Sequence, residues 1–202
     1  VNPLQETWPD RIARDPGHSA RYAERFRLLA AQGRDLHGEA RLIDAMVGRG
    51  AAVLDAGCGP GRHTGYLHAA GHRVVGVDID PTLIAVAEAE APGPLYVLGD
   101  LVDYTLPEAA PSAFDAILSA GNVVTFLHPD TRVRALEGFA SRLAPDGRAV
   151  VGFGAGRGYR FDEFVADAAT AGLALQARFA TWDLRPFTAE AQFLVAVLSL
   201  AD

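Results

Sequence analysis

The sequence predicts an α/β fold: a doubly wound, mostly parallel seven-stranded sheet with a C-terminal antiparallel hairpin, preceded by N-terminal helices. Three observations predict it. From Ala51 onward, short apolar runs alternate with helical patterns, as βα units with right-handed crossovers require. The first run, Ala51–Ala56, leads directly into Gly57, Gly59 and Gly61 and then into a helical pattern. The last two apolar runs lie only about ten residues apart, with Arg185-Pro186 between them. That is too short for a helical crossover, so these strands pair antiparallel.

Taken in order, residues 1–50 read as a helical extension and 51–202 as the α/β domain. Ser19–Gln32 places Tyr22, Phe26, Leu29 and Ala30 at helical spacing and stops at Gly33. Glu39–Val47 forms a second short helix through Leu42, Ile43, Met46 and Val47. Val53–Asp55 is the first strand, Arg62–Ala70 a helix stopped by Gly71, and Val74–Asp78 the second strand. Pro81–Ala91 is a helix with Pro81 in its first turn. Tyr96–Leu98 and Phe114–Ser119 are the third and fourth strands. Thr131–Leu143 is a helix, turned by Pro145-Asp146-Gly147 into a fifth strand, Arg148–Phe153. Phe161–Ala171 is the last helix, and Leu173–Trp182 and Phe193–Leu198 form the hairpin.

Composition narrows the chemistry. Half of the 202 residues are apolar and 21% are charged, enough apolar residues for a packed core. A net charge of −7 argues against a nucleic-acid backbone or an anionic membrane as the main partner. No apolar run is long enough to span a bilayer. Val1–Asp15 carries Glu6, Asp10, Arg11, Arg14 and Asp15 without an apolar core, so no secretory signal is expected there. The lone Cys58 permits no internal disulfide and fits a reducing, cytoplasmic setting. All 18 basic residues are arginine, which excludes lysine Schiff-base chemistry. His63 and His68 are five apart and make no metal-binding helix face, so no metal site is expected. No serine lies in a nucleophile elbow.

The glycine stretch points to a nucleoside-like cofactor. Glycine lets backbone approach a ligand and take positive φ, and the following helix start supplies N–H groups. Its spacing is Gly-x-Gly-x-Gly, whereas the dinucleotide fingerprint needs glycine or alanine where Arg62 stands. Val53-Leu-Asp-Ala-Gly-Cys-Gly-Pro-Gly61 instead resembles motif I of the class I S-adenosylmethionine-dependent methyltransferases. The likeness covers about residues 51–202 and includes the terminal hairpin. It implies S-adenosylmethionine as cofactor, S-adenosylhomocysteine as product, and a cap formed by the N-terminal helices.

In a doubly wound sheet, ligands bind beyond the carboxyl ends of the strands. Asp78 lies there, 17 residues after Gly61, and a carboxylate can accept both hydroxyls of a ribose. The resemblance makes Asp78 the ribose acid and Ile79 an adenine contact. It makes Asp100 the acceptor of the adenine amino group, with Leu101 flanking the ring. Asp55 ties the turn together and reaches the cofactor's ammonium through water. Gly57, Cys58, Gly59 and Gly61 form the loop around the amino-acid part. Arg62 is a candidate partner for the cofactor's carboxylate, because guanidinium suits planar anions. Ser119-Ala120-Gly121-Asn122 resembles motif IV, which implies that the carbonyls of Ser119 or Ala120 meet the ammonium and that Asn122 borders the methyl.

A sulfonium methyl is already activated, so holding a nucleophile in line is the main requirement, worth up to about 7–11 kcal/mol in favourable models. Asn122 and His128 are the catalytic candidates, the latter because a neutral imidazole accepts a proton near neutrality. Tyr22, His37, Arg157, Tyr159, Trp182 and Arg185 are candidates for the substrate walls. The expectation is methyl transfer to a small-molecule acceptor by a monomer or homodimer. A non-catalytic cofactor-binding scaffold on the same fold is one alternative, and an NAD(P) oxidoreductase another.

Overall fold

The computed structural model describes residues 6–201; the part of the leader reading that concerns residues 1–5 lies outside them. Seven strands form one sheet in the order β3-β2-β1-β4-β5-β7-β6. They are β1 (Ala52–Ala56), β2 (Arg73–Asp78), β3 (Leu95–Leu98), β4 (Phe114–Ser119), β5 (Leu143–Gly154), β6 (Leu173–Phe179) and β7 (Phe193–Leu200). The first five pair in parallel, and β7 runs antiparallel between β5 and β6. The order reverses between β1 and β4, which opens a crevice at their carboxyl ends.

Among the described residues, seven α-helices accompany the strands: α1 (Trp8–Arg14), α2 (His18–Ala31), α3 (Gly38–Met46), α4 (Arg62–Ala69), α5 (Pro81–Glu90), α6 (Arg132–Ala140) and α7 (Phe161–Thr170). All five residues of β1 are buried, because both sheet faces are covered. Their side chains alternate: Leu54 joins Phe139, Phe153 and Phe164 on one face, while Val53 joins Ile43 and Leu67 from α3 and α4 on the other. Each such fully buried side chain contributes about 1.5–3 kcal/mol of burial free energy. Asp80 starts α5 by accepting from Thr82 N and Leu83 N, ahead of Pro81 at a position that needs no donor.

Three differences from the sequence reading, beyond shifts of a residue or two at element ends, have a physical cause. Helix α6 stops at Ala140, and Pro145–Gly147 lies inside β5 as an irregularity, between the Phe114–Leu143 and Ala116–Arg148 pairs. Proline cannot donate to the ladder, and a side chain at Gly147 would press on the Phe114 carbonyl. Strand β6 ends at Phe179, whose neighbour across the turn is Pro186, so Trp182 belongs to the connection. Helix α1 carries no buried residue, which leaves little hydrophobic periodicity to read. No helix among the described residues is long and apolar enough to cross a membrane.

Candidate cofactor and acceptor site

A cavity of about 510 Å³ opens beyond the carboxyl ends of β1, β2, β3 and β4, roofed by α1 and α2. That volume lies within the usual range of small-ligand sites. Gly57, Gly59, Arg62, Asp78, Ile79, Asp100, Leu101, Ala120 and Asn122 line it, and so do Tyr22, His128 and Arg157.

The glycine loop is held from within. Gly57 N and Cys58 N both donate to the Val77 carbonyl at 2.8 and 3.0 Å, and Gly61 N donates to Cys58 O at 3.1 Å. Gly59 N donates to Asp78 Oδ2 at 2.7 Å. These four N–H groups therefore shape the turn instead of meeting a ligand. Gly57, at φ +83°, leaves room for Val123, and Gly61, at φ +79°, for Tyr96 and Ala87. A Cβ on Gly59 or Gly121 would meet only Tyr22, at 3.8 Å. Those two glycines are the bare backbone that faces the cavity beneath the Tyr22 ring. Cys58 is buried, its thiol pushed well above its usual range by burial, and lies outside the cavity. Asp55 also lies outside it. Its carboxyl accepts from Thr64 Oγ1 at 2.6 Å and, through burial, titrates at about 6.

At one end of the cavity stand the two acids. Asp78 accepts Gly59 N–H on one oxygen and Asp80 N–H on the other, at 2.9 Å. Each oxygen keeps a lone pair. Burial raises its carboxyl to about 6. Asp100 Oδ1 accepts from Val102 N at 3.0 Å. Behind them, Asp80 is fully buried; its Oδ2 accepts from Trp8 Nε1 at 2.8 Å and from the Ser19 hydroxyl. One carboxylate thus fastens α1, α2 and the start of α5 together, one residue from the Ile79 lining.

At the other end, Asn122 (φ +69°) holds the turn after β4. Its Oδ1 accepts from Gly154 N at 2.8 Å on β5. His128 Nδ1 accepts from Asp130 N at 3.3 Å, which leaves Nε2 for other partners.

The remaining candidates lie elsewhere. Ser119 is buried outside the cavity, its hydroxyl without a partner among the described residues. Arg62 lines the cavity, but its guanidinium is taken by Glu39, with 3.0 and 3.3 Å contacts, and by the Leu36 carbonyl at 2.5 Å. His37 stacks on Tyr66, with centroids 5.0 Å apart. Tyr159 is buried against Phe153 and Arg132 and donates to Asp167 at 2.6 Å. Trp182 packs over Gly152, and exposed Arg185 pairs with Asp183 at 3.1 Å. None of these last four lines the cavity; each is absorbed by packing or a local ion pair.

Several lining residues escape the sequence reading, chiefly Trp8, Arg11, His18, Arg25, Phe26 and Phe126. Trp8 meets His18, Tyr22 and Phe126 edge-on at 5.1–5.5 Å. A usable signal existed: Thr7-Trp-Pro-Asp10 reads as a capping box with proline in the first turn, and the structure contains that box.

Comparison with known proteins agrees with this geometry. Residues 53–147 match the family description of a methyltransferase domain. A solved structure of a TehB-like SAM-dependent methyltransferase from Corynebacterium glutamicum is 50% identical, covering 92% of this chain and 100% of that one, with a TM-score of 0.86. A dTDP-3-amino-3,6-dideoxy-α-D-glucopyranose N,N-dimethyltransferase from Streptomyces fradiae is 30% identical over 139 residues, 66% of this chain. The chain spans 53% of that relative's length. At 23% identity and a TM-score of 0.62, a Burkholderia thailandensis 1,6-didemethyltoxoflavin-N1-methyltransferase, solved with S-adenosylhomocysteine, shares the fold over 92% of this chain and 89% of its own.

Proposed function

Because the chain belongs to the S-adenosylmethionine-dependent methyltransferases, we propose that it transfers a methyl group from S-adenosylmethionine to a small-molecule acceptor. When bound, that cofactor supplies a methyl group on a positively charged sulfur, and transfer leaves a neutral thioether. The residues present fit it. Asp78 offers two oxygens with spare lone pairs for the ribose hydroxyls, and Asp100 offers Oδ2 for the adenine amino group, beside Ile79 and Leu101. The bare backbone of Gly59 and Gly121 under Tyr22 admits the amino-acid portion and the sulfur. Ala120 lines the cavity, and its carbonyl is our candidate acceptor for the ammonium. Arg62 is committed to Glu39, so Arg25, which lines the cavity under α2 with no ion pair among the described residues, is our candidate for the cofactor's carboxylate.

The chain's work is positioning and exclusion of water. Trp8, Tyr22, Phe26 and Phe126 close an apolar roof over the cavity, and Asn122 fixes the floor by bonding β5. His128 Nε2 stands ready to take a proton from an acceptor that needs to lose one. Two relatives, by their names, methylate a sugar amine and a toxoflavin precursor; both are small molecules, which supports this acceptor class.

One observation carries the reading: a single cavity joins two acids at the ends of β2 and β3 to the Asn122 turn after β4. The test is incubation with methyl-labelled S-adenosylmethionine and separate pools of small metabolites, protein and RNA. Label in the metabolite pool alone is expected. Label in protein or RNA, or in nothing, overturns the acceptor class.

A further inference from the structure

The acceptor end of the cavity has a pronounced charge asymmetry. Among the described residues, the only carboxylates that line the cavity are Asp78 and Asp100, both at its nucleoside end. Around the Asn122–His128 segment the charges are guanidinium groups. Arg157 follows β5 and lies beside Asn122: a Cβ on Gly154 would sit 3.3 Å from Arg157 Nε and 3.5 Å from Asn122 Oδ1. Arg157 has no hydrogen bond or ion pair among the described residues. On the other side, the Arg11 guanidinium lies 4.8 Å from the centre of the Phe126 ring. Arg11 and Arg14 share one buried carboxylate, Glu6, at 3.1 and 2.8 Å. Asp10 lies on the same helix, so two cations stand against two anions at that wall, and Arg157 is the cation at this end without a partner among the described residues.

Among the described residues no carboxylate pairs with Arg157. Asp130 is 88% exposed and faces His128 at 3.7 Å, and Asp10, which caps α1 through Thr7, keeps its negative charge beside Arg11 and Arg14. Arg62 is neutralised by Glu39. In a chain with a net charge of −7, an unpaired arginine beside Asn122 in the lining of a largely aromatic cavity is a local reversal of sign.

We propose that the acceptor is a small organic acid, its carboxylate or phosphate seated by Arg157 and its flat apolar body held by Phe126 and Trp8. This deepens the methyltransferase reading and rests on it. Guanidinium is suited to the task because its planar donors match both anions in pairs. Seating the anion at Arg157 directs the rest of the molecule past Asn122 toward Gly121, where the nucleophilic atom is wanted. The aromatic walls gain from a flat body by edge and face contacts.

The test is calorimetric titration of the full chain, saturated with S-adenosylhomocysteine, with three probes of one shape: benzoate, phenyl phosphate and neutral benzamide. Benzoate or phenyl phosphate binds at least tenfold more tightly than benzamide, and the preference shrinks as salt is raised. The stronger of the two anions identifies the headgroup. In Arg157→Gln, anion affinity falls at least tenfold while S-adenosylhomocysteine affinity is retained. Equal binding of benzamide and the anions, absence of anion binding, or full anion affinity in Arg157→Gln overturns the proposal. Failure of S-adenosylhomocysteine itself to bind in the preliminary titration overturns the methyltransferase reading, so the two failures are distinct.

Discussion

Replacing Trp8 by Phe tests how the roof is fastened. The indole Nε1 donates to Asp80 Oδ2 at 2.8 Å, inside a pocket where Asp80 is wholly buried. Phe keeps most of the ring and its edge contacts with His18, Tyr22 and Phe126, and removes the donor. A hydrogen bond to a charged group contributes about 1.5–3 kcal/mol. Asp80 retains the Ser19 hydroxyl and the two amides of α5, so α5 stays capped and the loss falls on α1. That helix has no buried residue and is otherwise held by the ring contacts of residue 8, the Arg11 guanidinium on Phe126, its capping box and the Glu6 ion pairs. At about 1.4 kcal/mol per decade, the opening equilibrium of α1 shifts about 10- to 150-fold. Hydrogen exchange followed by mass spectrometry reads this directly: peptides spanning 8–14 lose protection by that factor, while β1 and β4 peptides keep theirs. Unchanged protection in α1, or equal loss in β1, refutes the idea that the indole–carboxylate bond fastens the roof locally.

Three further outcomes follow from the site. Thr64→Val removes the hydroxyl that donates to Asp55 at 2.6 Å; leaving that carboxyl short of a donor costs about 1.5–3 kcal/mol, measured by urea unfolding. Gly57→Ala meets both a positive φ of 83° and the Val123 side chain, so it destabilises by about 1–3 kcal/mol and weakens S-adenosylhomocysteine binding at least tenfold. The pH dependence has opposite signs for stability and for binding. Asp55 and Asp78 titrate at about 6 in the fold, against 3.8 for the unperturbed group, so the native state binds protons more tightly than the unfolded chain. Their contribution to stability is greatest below about pH 4 and is lost as pH rises to 6, by about 3 kcal/mol each. Asp55→Asn therefore flattens the wild-type decline in unfolding free energy between pH 4 and 7. Cofactor binding needs ionised Asp78, so S-adenosylhomocysteine affinity falls about tenfold per pH unit below 6, as calorimetry at pH 5 and 7 will show.

Much of this was legible in the sequence because local chemistry and the fold agree. The glycine loop, Asp78 and Asp100 sit at strand ends, and strand ends are readable from apolar runs. The hairpin followed from a connection too short for a helix. What was not legible depends on partners distant in the chain. Arg62 reads as an anion ligand until α3 brings Glu39 beside it, 23 residues away in sequence. Tyr159 and Trp182 read as pocket aromatics, yet the gaps at Arg132 and Gly152 that they fill exist only in the assembled fold. The glycines were expected to let backbone approach a ligand; the parallel neighbour β2 supplies Val77 O and Asp78 to take the N–H groups of Gly57, Cys58 and Gly59, which no local pattern announces. Trp8 was missed because its partners, Asp80 and Phe126, lie far along the chain.

The central claim is tested most directly by calorimetric titration of the purified protein, first cleared of any retained cofactor, with S-adenosylmethionine and S-adenosylhomocysteine, alongside Asp78→Ala. The account predicts micromolar binding of both to the wild type and at least a hundredfold loss in the variant, with the variant still folded by circular dichroism. No binding to the wild type, or equal affinity in a folded Asp78→Ala, would contradict it and leave the glycine loop as a purely structural turn.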